Sequence, residues 1–129
     1  MSRFSLGKVS LKNLQGVHPD LVKIIKLAIS ISRIDFRVIE GVRSEERQRQ
    51  MVMSGRSLTQ NSRHLTGHAI DVVPIVDNKV PWDDFSIFEE LAKIIKKAAK
   101  DLDIPIIWGG EWSKLKDGPH FELPRSFYP

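Results

Sequence analysis

The chain carries two hydrophobic periods, one helical and one extended, and they alternate along its length. Leu21, Ile24, Ile25, Ala28 and Ile29 recur at steps of three and four, which predicts a helix with one apolar face. Pro19 and Asp20 suit its first turn, and it should end near Ser32. The β-branched and aromatic run from Phe36 to Val42 predicts a strand. Ser44 is then a plausible N-cap, Glu45 and Glu46 favour the positive end of a helix, and Gly55 is a stop after Met53. Arg43 is thereby placed at a strand-to-helix junction.

Residues 56 to 63 are rich in Ser, Thr, Asn and Gln without periodicity and predict a loop leading into His64. The run Ala69 to Val76 predicts a buried strand interrupted by one carboxylate, Asp71. A buried aspartate is costly unless it is paired, hydrogen-bonded or metal-bound. Asp77-Asn78-Lys79 predicts a turn, and a long helix should start at Trp82 or Asp83, with Phe88, Leu91, Ala92, Ile95, Ala99 and Leu102 on one side. Ile104 to Trp108 and Pro119 to Leu123 complete the expected strands, while residues 1 to 16 are mixed and polar and predict no element. Without a regular βαβ rhythm, the class expected is α+β, a mainly antiparallel sheet flanked by helices.

Length and composition narrow the chemistry. A chain of 129 residues is one domain's worth, with no repeat, linker or low-complexity tract, so residues 1–129 are expected to form a single domain. There is no cysteine, which excludes disulfides and leaves histidine, carboxylate and water to hold any transition metal. Lys23 and Lys26 interrupt the apolar stretch nearest the N-terminus, so neither a signal peptide nor a membrane span is expected. The net charge of +4 favours anionic partners without choosing one. Lys93, Lys96, Lys97 and Lys100 share one helix face, read either as a solvated face or as a surface toward an anionic envelope. The sequence shows no interleaved aromatic and basic pattern of a nucleic-acid module, so no nucleic-acid partner is expected.

Four residues carry the candidate chemistry: His64 and Asp71, seven positions apart, then Asp117 and His120, three apart. Two histidines and one carboxylate make a three-ligand zinc shell with a position free for water, and the other carboxylate can act as a base. Gly67, and the Gly118-Pro119 pair, supply turns that let these side chains converge.

The surrounding residues form a wider pattern. Ser62-Arg63-His64-Leu65-Thr66-Gly67-His68-Ala69-Ile70-Asp71 resembles the first metal motif of the LAS-type zinc peptidases, which include D-Ala-D-Ala dipeptidases, carboxypeptidases and phage L-alanyl-D-glutamate endopeptidases. Asp117-Gly118-Pro119-His120-Phe121-Glu122 resembles their second motif, and further likeness runs through Val17 to Leu21, Gly41 to Ser44 with Gln48 or Gln50 beyond, and Trp108 to Trp112. The compact length is most similar to single-domain phage endolysins. The resemblance implies a hedgehog/DD-peptidase-like fold, a Zn²⁺ cofactor and a peptidoglycan substrate cut between L-Ala and D-Glu. It implies one catalytic domain without a wall-binding module, acting as a monomer with no stable membrane insertion. The enzyme would be made in the host cytoplasm and reach the wall after holin-mediated release. His64, Asp71 and His120 match the metal ligands and Asp117 the general base. Arg43 matches the arginine that contacts substrate or the developing oxyanion, and Ser62 a serine that could bond a ligand or substrate. Glu111 departs from the family's more usual aspartate.

Other readings stay open at this level. Glu122 is a rival general base on strand parity; His68 and His18 are read as lying outside the ligand set. Trp108 and Trp112 are read as packing or cleft walls. Asp77, Asn78, Asp83 and Asp84 could hold a hard cation such as calcium, although turn and cap duties explain them. A D-Ala-D-Ala carboxypeptidase, a hedgehog-like zinc-binding module and a nucleic-acid binder are the competing functions.

Overall fold

The structure is a computed structural model that describes residues 4–57, 59, 61–113 and 116–129. Leu58 and Gln60, inside the expected loop, and the first three residues lie outside the described residues.

The chain opens on a helix that the periodicity does not announce, α1 (Lys8–Asn13). Its inward positions are polar: Ser10 Oγ accepts from Val38 N at 3.0 Å and Asn13 Nδ2 donates to Val38 O at 2.9 Å. Tertiary hydrogen bonds rather than an apolar stripe hold it, and a hydrophobic pattern cannot report such an element. Helix α2 (Pro19–Ile31) has Pro at its first turn, and His18 caps it by accepting from Asp20 N at 3.0 Å.

Strand β1 (Asp35–Glu40) stops two residues short of the expected Val42. A register irregularity between Val38 and Glu40 bends the chain out of the ladder there. Gly41 follows at a point so crowded that an added Cβ would sit 1.8 Å from Asn13 O. Helix α3 (Glu45–Met53) starts on Ser44, whose Oγ accepts from Arg47 N at 3.1 Å, and is followed by left-handed Gly55, both as expected. Residues 63 to 66 form one 3₁₀ turn capped by Ser62 and closed by Gly67 at φ 78°.

Strand β2 (Ala69–Ile75) leads to the tight turn at Asp77 and Asn78, both at positive φ. Helix α4 (Phe85–Asp101) begins later than Trp82 because residues 80 to 84 are tied into turns, Trp82 N to Val80 O and Asp84 N to Pro81 O. Strand β3 is only Ile107–Trp108, shorter than the expected Ile104 to Trp108. Ile104 N instead closes the end of α4 on Ala99 O, and Pro105 has no N–H to give a ladder. Strand β4 is His120–Glu122.

The four strands pair antiparallel in the order β1-β2-β4-β3. Side-chain parity then sorts the residues. Val38, Val72, Ile70, Phe121 and Trp108 are paired across the sheet and join Leu21, Ile24, Ile25, Leu91 and Ile95 of α2 and α4 in one core. Glu40, Asp71 and His120 are also cross-strand partners, and parity puts them on the opposite face. Among the described residues no helix is long and apolar enough to cross a membrane.

Candidate metal centre

The sheet face away from the core carries the site. Asp71 on β2 lies opposite His120 on β4, and the 3₁₀ turn that ends at Gly67 brings His64 beside them. One ligand atom from each lies within 4.8 Å of the others. His64 Nε2 is 3.2 Å and His120 Nδ1 3.5 Å from Asp71 Oδ1. His64 and His120 are buried.

Hydrogen bonds on the far side of each ring fix which nitrogen faces inward. His64 Nδ1 is 2.9 Å from Gly41 O, an atom that only accepts, so Nδ1 carries the hydrogen and Nε2 keeps its lone pair. His120 Nε2 donates to Glu122 Oε1 at 2.7 Å, leaving Nδ1 bare. Two bare nitrogens and a carboxylate oxygen therefore converge, all acceptors, with no donor between them. Such a cluster needs a cation, and these three side chains can bind a metal.

In the metal-free cluster at neutral pH a proton on His120 takes that place. Burial opposes the charge on His120, but the hydrogen bonds to Asp71 and Glu122 override it and push the imidazole up to about 9. Burial likewise opposes ionisation of Asp71, yet the hydrogen bonds and positive charge that the His120 and His64 rings offer when they are protonated win and hold it well below the usual carboxylate range. Asp117 goes the other way: burial first, then the negative charge of Asp71, raise its carboxyl. Backbone bonds hold Asp117 in place, its N donating to Gly109 O and its O accepting from His120 N. An added Cβ on Gly109 would sit 2.6 Å from Asp117 O and 2.9 Å from His120 Cβ, so a glycine is required where that loop packs.

Arg43 is buried behind the ligands. Its Nε and Nη2 grip both oxygens of Glu40 at 2.9 and 2.7 Å, Nη1 donates to Gln48 Oε1 at 2.7 Å, and Nη2 also reaches Asp71 Oδ2 at 3.5 Å. Four of the five guanidinium hydrogens are thus engaged, leaving one on Nη1 for the cleft that Arg43 lines. Gln48, fully buried, continues the chain by donating to Ser57 Oγ at 2.8 Å and Thr59 O at 2.5 Å. Gln48, one of the two glutamines in the family pattern beyond Ser44, is the buried one; a glutamine in an otherwise polar helix offers no signal of burial.

The cleft has a volume of about 470 Å³, and Arg43, Ser62, His64, Asp117 and His120 all open onto it. Ser62 Oγ accepts from His64 N at 3.2 Å, so it caps the turn carrying His64. Trp112, partly exposed, lies with its ring 4.8 Å from that of His120 and walls the cleft. Trp108 is buried and donates to Gly118 O at 2.7 Å. His68 bonds Thr66 Oγ1 at 2.7 Å and its ring lies tilted against that of His18 at 5.5 Å, apart from the cluster. Glu111 pairs with Lys96. Asp84 Oδ1 accepts from Ser86 Oγ at 2.5 Å, and Asp77 and Asn78 serve the turn.

Comparison with known proteins agrees with this geometry. Residues 1–127 match the family described as phage L-alanyl-D-glutamate peptidase. The chain is 34% identical over 128 residues to the L-alanyl-D-glutamate peptidase of Escherichia phage T5, covering 97% of this chain and 93% of that one. It is 30% identical over 113 residues to the peptidoglycan L-alanyl-D-glutamate endopeptidase CwlK of Bacillus subtilis, 77% of this chain and 66% of that one. Among solved structures it is similar to the L-Ala D-Glu endopeptidase ChiX of Serratia marcescens, with 49% identity, a TM-score of 0.88, and 95% and 91% of the two chains covered. The vancomycin-resistance D,D-dipeptidase VanXYg shares the fold at 16% identity and a TM-score of 0.51, over 83% of this chain and 50% of that one.

Proposed function

The chain belongs to the phage L-alanyl-D-glutamate peptidase family, and from that premise we propose that it is a zinc peptidase hydrolysing the L-Ala to D-Glu bond of peptidoglycan stem peptides. His64, Asp71 and His120 hold the zinc, and Asp117 is the general base. The carrying observation is the convergence of three acceptor atoms on one point beside a cleft. Zinc bonds of about 2.0–2.2 Å in a tetrahedron set neighbouring ligand atoms roughly 3.3–3.6 Å apart. The 3.2 and 3.5 Å separations here suit that ion. Host-cell lysis by a phage, with a holin opening the way to the wall, is the setting we assign, supported by the phage relatives.

When bound, zinc supplies a Lewis acid for a water and for the scissile carbonyl. The protein's own residues do the rest. The Asp117 carboxylate, its affinity for a proton raised by burial and by Asp71, accepts the proton of the attacking water and returns it to the leaving nitrogen of D-Glu. Glu122, a rival base on strand parity, is engaged in orienting His120. Gly41 does the same for His64 through its carbonyl. Arg43 holds the Asp71 carboxylate from behind and offers its remaining Nη1 hydrogen toward the oxygen that gains charge. Trp112 walls the cleft beside His120.

Digestion of purified peptidoglycan, followed by mass spectrometry of the new termini, tests this. The reading predicts C-terminal L-Ala and N-terminal D-Glu, both abolished by a chelator. New termini at D-Ala, or none, would refute it.

A further inference from the structure

The cleft carries more positive charge than its own carboxylates neutralise. Arg43 is paired with Glu40 and Asp71, but Arg56, Arg63 and Arg125 line the same cleft and form no ion pair among the described residues. Arg63 is buried, donates from Nη2 only to the backbone carbonyls of Leu123 and Tyr128, and its buried Nε has no hydrogen-bond partner. Arg125 donates to Asn61 O at 2.7 Å, also a neutral carbonyl. The nearest acids on the cleft wall are committed elsewhere: Glu122 orients His120, and Asp117 is assigned to proton transfer. A buried, incompletely satisfied guanidinium beside a second cation is unfavourable unless an anion completes the set.

We propose that Arg56 and Arg125, backed by the buried charge of Arg63, form a subsite that binds a carboxylate of the stem peptide. This rests on the peptidase reading, in which the peptide lies in this cleft. Two carboxylates of such a peptide have the right chemistry: the free α-carboxylate of D-Glu, which its γ-linkage leaves unblocked, and the carboxylate at the peptide's C-terminus. Planar guanidinium forks suit either.

Calorimetric binding to the zinc-loaded full chain tests the subsite without requiring turnover. The probes are three peptides of sequence L-Ala-γ-D-Glu-L-Lys-D-Ala made uncleavable by N-methylation of the scissile amide: one with both carboxylates free, one amidated at the D-Glu α-carboxyl, one amidated at the C-terminus. The wild type should bind the free peptide roughly 10- to 100-fold more tightly than one of the amides, and which amide loses identifies the carboxylate. The double variant R56Q/R125Q, altered at two exposed positions, should bind all three alike, whereas exposed R33Q should keep the preference. No preference in the wild type, no binding of any peptide, or an unchanged preference in R56Q/R125Q would overturn the proposal. Hydrolysis of the unmethylated peptide is read separately: discrimination in binding with no cleavage would sink the peptidase reading and leave the subsite standing.

Discussion

Loading the metal should expel a proton, and the size of the effect follows from His120. In the metal-free protein its imidazole is pushed up to about 9 by Asp71 and Glu122, so at pH 7 only about one molecule in a hundred presents the bare Nδ1 that a metal requires. Apparent zinc affinity should therefore lie about 100-fold below its limiting value at pH 7 and rise about tenfold per pH unit toward pH 9. Asp71, held far below the usual carboxylate range, stays ionised throughout and adds no slope. Competition with a chelator at pH 6.5, 7.5 and 8.5 measures the affinity. Calorimetry in buffers of different ionisation enthalpy counts the proton, with about one released per metal. The stability of the metal-free protein should show the converse sign. A histidine whose folded pKa is raised contributes stability that is complete below its unfolded value, about 6.5, and is lost as pH rises through about 9. With chelator present, the melting temperature should fall across that window; saturating zinc should remove the fall. A pH-independent zinc affinity with no proton released would refute the hydrogen-bond pattern assigned to His120.

Three substitutions probe separate parts of the site. Asp117→Asn should keep one zinc per chain by elemental analysis yet lower hydrolysis of purified wall by roughly 10²- to 10⁴-fold; wild-type turnover would remove Asp117 as the base. Glu122→Gln should weaken zinc binding roughly 10- to 100-fold and flatten its pH dependence, whereas a loss of turnover at full zinc occupancy would restore Glu122 as a candidate base. Gly41→Ala would place a Cβ 1.8 Å from Asn13 O, forcing the backbone apart at the position whose carbonyl holds His64. Calorimetric melting should show destabilisation of about 1–3 kcal/mol or more, together with weaker zinc binding; an unchanged melting temperature would contradict that packing.

What the sequence made legible divides along the range of the interactions. The apolar faces of α2 and α4 and the run of β2 are local patterns, and the sheet confirms them. Helix α1 is held by bonds from Ser10 and Asn13 to Val38, 28 and 25 residues away, and no periodicity encodes such a partner. The gathering of His64, Asp71 and His120 was legible because motif and spacing put Asp71 and His120 on expected strands and Gly67 beside His64 as the turn that lets it converge; the register that sets Asp71 opposite His120 came from the fold. The residues that orient them were not. Gly41 contributes only a backbone oxygen, and Glu122 has the same strand parity whether it serves as a base or as a support. The four bonds of Arg43 and the burial of Gln48 are likewise products of the fold, since they join β1, β2, α3 and the following loop.

The metal centre itself is most directly tested by anomalous diffraction above the zinc absorption edge, from crystals of the zinc-loaded protein. A single peak should appear bonded to His64 Nε2, an Asp71 oxygen and His120 Nδ1, at roughly 2.0–2.2 Å from each. A peak at His68 or Glu122, or none between those three side chains, would contradict the account.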